Sequence, residues 1–190
     1  MGNYGKSSFI LLVSATAFMA NIFILLLFAS PICASNQEHL RHRTLYCIVV
    51  KITDGDTVHC ETREKSKLKI RLYGIDAPEI PHGKIPGQPM GAESTAALRY
   101  KVFKKEVRIA VLDFDRHKRI VAMLWVGNRN INIEMVKEGY AEAFIEYLKE
   151  PYRSEFLRAE REARLAKKGI WSLPDYERPR DFRKRLKVRG

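Results

Sequence analysis

The chain has 190 residues, with 34 Lys and Arg against 22 Asp and Glu, a formal net charge of +12. That length gives one well-packed domain plus extensions, and such a charge attracts polyanions: nucleic acid, anionic lipid or acidic polymer. No internal repeat and no His/Cys cluster of zinc spacing is present, which sets aside repeat architectures and structural zinc sites.

The chain opens on "FILLVSATAFMANIFILLLFAS", residues 9–30, almost wholly apolar and without charge. It is long enough to span a bilayer as a helix. With Lys6 in front and the small residues of "SPICAS" behind, it also has the layout of an export signal. Residues 1–35 are therefore read as a signal peptide or an N-terminal membrane anchor. The protein is expected to be secreted or periplasmic in the first case and membrane-tethered through residues 9–30 in the second.

The next two apolar, β-prone runs, "LYCIVVKIT" and "TVHCE", flank Asp54-Gly55-Asp56. Asp-Gly between such runs reads as a two-residue hairpin turn. That register puts Cys47 opposite Thr62 and Cys60 diagonally beside it. Diagonal neighbours are at the long end of disulfide reach, so an oxidised pair and two half-buried thiols both stand. "KLKIRLYGI", residues 67–75, alternates Leu68, Ile70 and Leu72 with Lys69, Arg71 and Tyr73, the pattern of a half-buried strand. A Pro/Gly-rich loop, 78–91, leads into a helix expected over Ala92 to Lys105, with Ala96, Leu98, Val102 and Phe103 on its apolar side. "EVRIAVLDF" and "RIVAMLWV" are two more strands, and Gly127-Asn128 turns the chain. "NIEMVKEGY" is a short helix stopped by Gly139. "EPYRSEFLRAEREARLAKKG" is a charged helix with Pro151 in its first turn and Gly169 as its stop. Trp171 is expected to dock into the core. Residues 178–190 carry seven Arg or Lys and one Asp, about half of the net charge. Residues 174–190 read as a basic, disordered tail.

Three strands, a helix, two strands and two helices suit an α+β fold, a five-stranded β-barrel of oligonucleotide-binding (OB) type with three helices. Asp56 lies just past the hairpin turn, and "GIDAPE" ends the third strand with Asp76 and Glu79. In a meander these clusters meet at one end of the barrel. Paired Asp side chains with backbone carbonyls and water are hard-oxygen chemistry, suited to Ca²⁺ or Mg²⁺. Arg71 and Arg119 have the paired donors that a phosphodiester needs as charge builds on its non-bridging oxygens.

Taken in order, "DGDTV" at 54–58, "IRLYGIDAPE" at 70–79, the "GQPMGAES" entry to the first helix and the "GIW" after the last one resemble the staphylococcal nuclease-like (thermonuclease) family. The resemblance covers residues 45–173. It implies a Ca²⁺-dependent endonuclease that hydrolyses phosphodiesters of DNA and RNA and leaves 3′-phosphates. Single strands would be the preferred partner and the molecule a monomer. It further implies that Asp56, Asp76 and the backbone carbonyl of Ala77 hold Ca²⁺. Asp54 would stand in an outer position, Glu79 would orient or deprotonate the attacking water, and Arg71 and Arg119 would grip the scissile phosphate. Where the family has Tyr-Gly-Arg, this chain has His117-Lys118-Arg119. Either Lys118 accepts the left-handed conformation that glycine takes freely, or the turn adopts another shape and moves Arg119. The alternative from another class is a non-catalytic nucleic-acid-binding barrel. A third, which needs the charge alone, is a polyanion- or lipid-binding surface protein.

Overall fold

The computed structural model describes residues 39–189; the expected signal or anchor, 1–35, with Cys33, lies outside the described residues. Among the described residues no helix is long and apolar enough to cross a membrane.

Strand β1 is Thr44–Asp54, β2 Thr57–Glu61, β3 Lys67–Leu72, β4 Ile75–Asp76, β5 Glu106–Phe114, β6 Ile120–Val126, β7 Arg129–Asn130 and β8 Glu142–Ala143. Alternation sets their faces. Cys47, Val49 and Ile52 of β1, Val107, Ile109 and Val111 of β5, and Ile70 and Leu72 of β3 are buried, while Tyr46, Ile48 and Val50 face outward. The five long strands run in the order β3-β2-β1-β5-β6, and β3 pairs back in parallel with β6, Ile70 opposite Ile120 and Leu72 opposite Ala122. That last pairing closes the sheet into the expected five-stranded barrel and removes its free edges. β7 returns along β6 around Gly127-Asn128, the turn read from the sequence.

Helix α1 is Gly91–Val102, α2 Ile131–Lys137, α3 Arg153–Leu165 and α4 Pro179–Arg189. Three were expected, and the fourth lies in the segment read as a disordered tail. Composition misled because only charge was counted. Pro179 opens the helix, Phe182 is buried, three of the arginines meet acidic partners elsewhere in the chain and a fourth, Arg185, meets Glu177. In α1 the buried residues include Ser94, Leu98, Lys101 and Val102, while Ala96, expected on the apolar side, is exposed. Ile170, not Trp171, enters the core; Trp171 is half-buried, edge-on to Tyr176, with Arg164 stacked on its face.

A buried amide ties the barrel to α2. Asn132 Oδ1 accepts from the Leu124 N–H at 2.9 Å, and its Nδ2 donates to the carbonyls of Tyr73 at 2.8 Å and Ala122 at 3.1 Å. One side chain thus satisfies three backbone groups where the parallel β3–β6 seam ends.

The first hairpin differs from expectation by one residue. Asp54 faces Thr57, so Gly55 and Asp56 are the turn residues rather than Asp54 and Gly55. Irregularities at Ile52/Asp54 and Val49/Lys51 then shift the register back, placing Ile48 opposite Glu61, as the sequence implied. Gly55 is not in the left-handed region. It is glycine because α1 presses on the turn: a Cβ there would lie 1.9 Å from Ser94 Oγ and 2.7 Å from Ala77 Cβ. Cys47 and Cys60 are buried, free thiols, so the oxidised alternative is not the one formed here. A hydrogen bond with Cys47, together with burial, pushes the Cys60 thiol up.

Candidate active site

Four pieces of backbone converge at one end of the barrel. In β2–β3 pairing Thr57 stands opposite Arg71, which brings the residue before Thr57, Asp56, to the arginine. The Leu72 N–H donates to the Asp56 carbonyl at 2.8 Å and fixes that approach. β4 pairs with β8, Asp76 opposite Glu142, and this two-residue ladder holds Asp76 just past the third strand. The loop after β4 carries Ala77 and Glu79.

Arg71 joins the two acidic clusters. Its Nη1 pairs with Asp56 Oδ2 and its Nη2 with Asp76 Oδ1 at 3.0 Å. The remaining acceptors of Asp56 are also used: Thr57 Oγ1 donates to Oδ1 at 2.9 Å and the Ala77 N–H to Oδ2 at 3.1 Å. Asp54 sits behind, accepting from the Asp56 N–H at 3.1 Å, the bond with which Asx turns are made. The acids divide accordingly. Burial opposes charge on Asp56, but Arg71, Asp54, the Ala77 N–H and the Thr57 hydroxyl outweigh it and hold the carboxyl below its usual range. Asp54 is pushed up to about 8 by burial and by the neighbouring charge of Asp56. Burial also raises Asp76, in spite of Arg183 and Arg71.

Arg119 stands at the edge. Its Nε donates to Asp115 Oδ2 at 2.6 Å and its Nη1 to Thr57 Oγ1 at 3.4 Å, so one hydroxyl separates it from Asp56. The turn before it accepts the strain: Lys118 has φ 59°. Of the residues read from the sequence, Asp56, Asp76, Arg71 and Ala77 are brought into direct contact. Asp54 and Arg119 are each one bond removed. Glu79 faces Asp76 across a shared guanidinium, that of Arg183.

Three residues were missed. Gln88 clamps Glu79: its N–H donates to the Glu79 carbonyl at 2.8 Å, its Oε1 accepts from the Glu79 N–H at 3.0 Å, and its Nε2 donates to the Glu177 carbonyl at 2.9 Å. It lies inside the "GQPMGAES" stretch, which was its only signal. Glu142 is buried opposite Asp76, accepting from Arg178 Nε at 3.0 Å and Tyr176 Oη at 3.1 Å. Burial raises it to about 7 despite Arg178. Arg183 comes from α4; the spacing of Phe182 and Leu186 behind Pro179 was the available hint of a docked helix.

The donor chemistry suits a hard divalent cation, since every acid at the site offers oxygen and burial, with the charge of Asp56 beside it, raises Asp54. Among the described residues the acids do not close into a cage of three ligands; they are turned onto guanidiniums instead.

The site is thus the end of a closed OB-type barrel where carboxylates and arginines gather, groups whose chemistry can meet a cation and a phosphate. The family model for staphylococcal nuclease homologues matches residues 69–173, more than half of the chain. The chain belongs to that family. Arg71, Asp76, Ala77, Glu79 and Arg119 fall inside the matched span, and Asp54 and Asp56 precede it. An uncharacterized endonuclease of Haemophilus influenzae is 37% identical over 142 residues, 75% of each chain. A probable staphylococcal-like nuclease of Oryza sativa subsp. japonica is 41% identical over 118 residues, 62% of this chain and 30% of that one. A probable endonuclease of Verticillium alfalfae is 33% identical over 185 residues, 80% of this chain and 64% of that one. The chain thus spans well under half of the rice relative.

Proposed function

We propose that this protein is a Ca²⁺-dependent nuclease that hydrolyses phosphodiester bonds of DNA and RNA and leaves 3′-phosphates. The observation that carries the reading is the guanidinium of Arg71, held between Asp56 and Asp76 at the end of the barrel with Glu79 facing Asp76. The relatives named as endonucleases support it.

Asp56, Asp76 and the Ala77 carbonyl would hold the cation, which when bound supplies positive charge against the phosphate. Glu79 accepts the proton of the attacking water, its backbone pinned by Gln88. Arg71 and Arg119 donate to the non-bridging oxygens as the phosphorus becomes five-coordinate. The bond to the 5′-oxygen breaks, and the phosphate stays on the 3′ side. A cleft at the end of a small barrel reaches an unpaired backbone more readily than a stacked duplex, which favours single strands. The reading extends to export or membrane tethering through residues 9–30, to 45–173 as the nuclease domain, and to a monomer.

The test is cleavage of denatured DNA, duplex DNA and RNA, in chelator and after adding Ca²⁺ back, with end-group analysis. Ca²⁺-restored cleavage, fastest on denatured DNA, with 3′-phosphate ends is expected. Undiminished rates in chelator would refute the cation. Binding without cleavage would make the protein a nucleic-acid-binding barrel.

A further inference from the structure

The basic residues of 178–189 have no task in the reaction as written. The structure gives four of them acidic partners: Arg178 with Glu142, Arg180 with Glu146, Arg185 with Glu177, and Arg183 with Asp76 and Glu79. Arg183 alone enters the site. Its Nη2 donates to Asp76 Oδ2 at 2.8 Å. Its Nη1 donates to Asp76 Oδ1 at 3.1 Å and to Glu79 Oε1 at 2.6 Å.

This is not an ordinary surface pair. The Asp76 side chain has no solvent exposure, and the guanidinium spans both of its oxygens. With Arg71 Nη2 also on Oδ1, Asp76 accepts three N–H groups. A divalent cation at Asp76 needs the same lone pairs and the same negative charge, and it would stand beside a guanidinium of like sign. Resting on the nuclease reading, we propose that Arg183 is a residue of the active site that competes with the divalent cation for Asp76 and Glu79. Helix α4 is then a strap across the site, and cation binding undoes one of its fastenings. The strap is fastened elsewhere by the buried Phe182 and by Arg178 on Glu142, so Arg183 can leave while the helix stays on the chain.

The experiment is calorimetric titration of CaCl₂ into the full chain without nucleic acid, for the wild type, Arg183→Ala, Arg183→Gln and, as a charge-matched control on the exposed face of α4, Lys184→Ala. Thermal melting in chelator confirms that each variant is folded. Both Arg183 variants are expected to bind Ca²⁺ roughly tenfold or more tighter, the scale of a coupling between sites, and Lys184→Ala to match the wild type. In parallel, trypsin should cut the wild type within 178–189 faster once Ca²⁺ is added, and Arg183→Gln fast in both conditions. Unchanged or weaker Ca²⁺ binding by the Arg183 variants overturns the competition and leaves the nuclease reading standing. Heat-silent titrations for every protein would refute the cation reading itself, and the proposal with it.

Discussion

Lys118 holds φ 59°, a conformation that costs a side chain with a Cβ about 1 kcal/mol. The turn stays in shape because Asp115 binds it at both ends: its carboxylate accepts from the N–H groups of His117 and Arg119 and from Arg119 Nε. Burial works against charge on Asp115, but these bonds outweigh it and hold its carboxyl low. Lys118→Gly should therefore raise thermal stability by up to about 1 kcal/mol and leave turnover unchanged. A rise in turnover would show that the lysine misplaces Arg119. Arg119→Lys, by contrast, should be severely impaired, because an ammonium cannot hold Asp115 and reach Thr57 with planar donors. Gln88 acts by position alone. Gln88→Ala frees the Glu79 backbone, and with Glu79 as the proposed base a small displacement should cost on the order of a hundredfold in kcat with little change in KM. Gln88→Glu keeps the acceptor for the Glu79 N–H and should recover part of the loss. Equal effects on kcat and melting in both variants would mean that Gln88 supports folding instead.

At the scale of elements, local pattern and distant pairing carry different information. The five long strands were legible because alternation depends on one strand and the core it faces. Most helices were legible from caps, though their ends moved by several residues, as in α3, where the expected 150–169 is Arg153–Leu165. The hairpin turn was misplaced by one residue because Asp54-Gly55 fits a turn by propensity, while Ser94 of α1 decides which residue can have no Cβ. Asn132 carries no signal in sequence, since its worth lies in groups eight to fifty-nine residues away. Its removal tests the seam. Asn132→Ala leaves the Leu124 N–H and the Tyr73 and Ala122 carbonyls without that partner in a dry interior. The expected loss is about 2–3 kcal/mol or more, seen as a lower midpoint in denaturant with the slope unchanged. Asn132→Asp should be no better, because it keeps the acceptor for Leu124 but turns the donor to two carbonyls into a charge. A loss below about 0.5 kcal/mol would show that water or backbone shifts replace the amide.

Over the whole molecule, the net charge of +12 hides an internal balance. The acids of the barrel end and Arg71 were legible as a cluster, but Arg183, which pairs with Asp76 and Glu79, comes from the last helix, beyond the span that resembles the family. A charge count cannot show this, because a solvated tail and a docked helix have the same composition. Glu142 is where the balance can be read. Its side chain is 1% exposed, Arg178 is its ion-pair partner, and its carboxyl is raised to about 7 by burial. An unfolded glutamate titrates near 4.3. Between those values the folded state holds more protons than the unfolded one, so this group makes stability fall as pH rises from about 4.3 to 7, and is neutral above. Arg178→Ala removes the charge that favours the carboxylate and pushes its titration higher still. The fall then continues past pH 7. The variant should cost about 2 kcal/mol at pH 8, discounted because Arg178 is 37% exposed, and distinctly less at pH 5.5, where Glu142 can take a proton. Denaturant midpoints of both proteins at the two pH values, in chelator, decide it. A gap of the same size at both would mean that Arg178 contributes through packing rather than through the charge on Glu142.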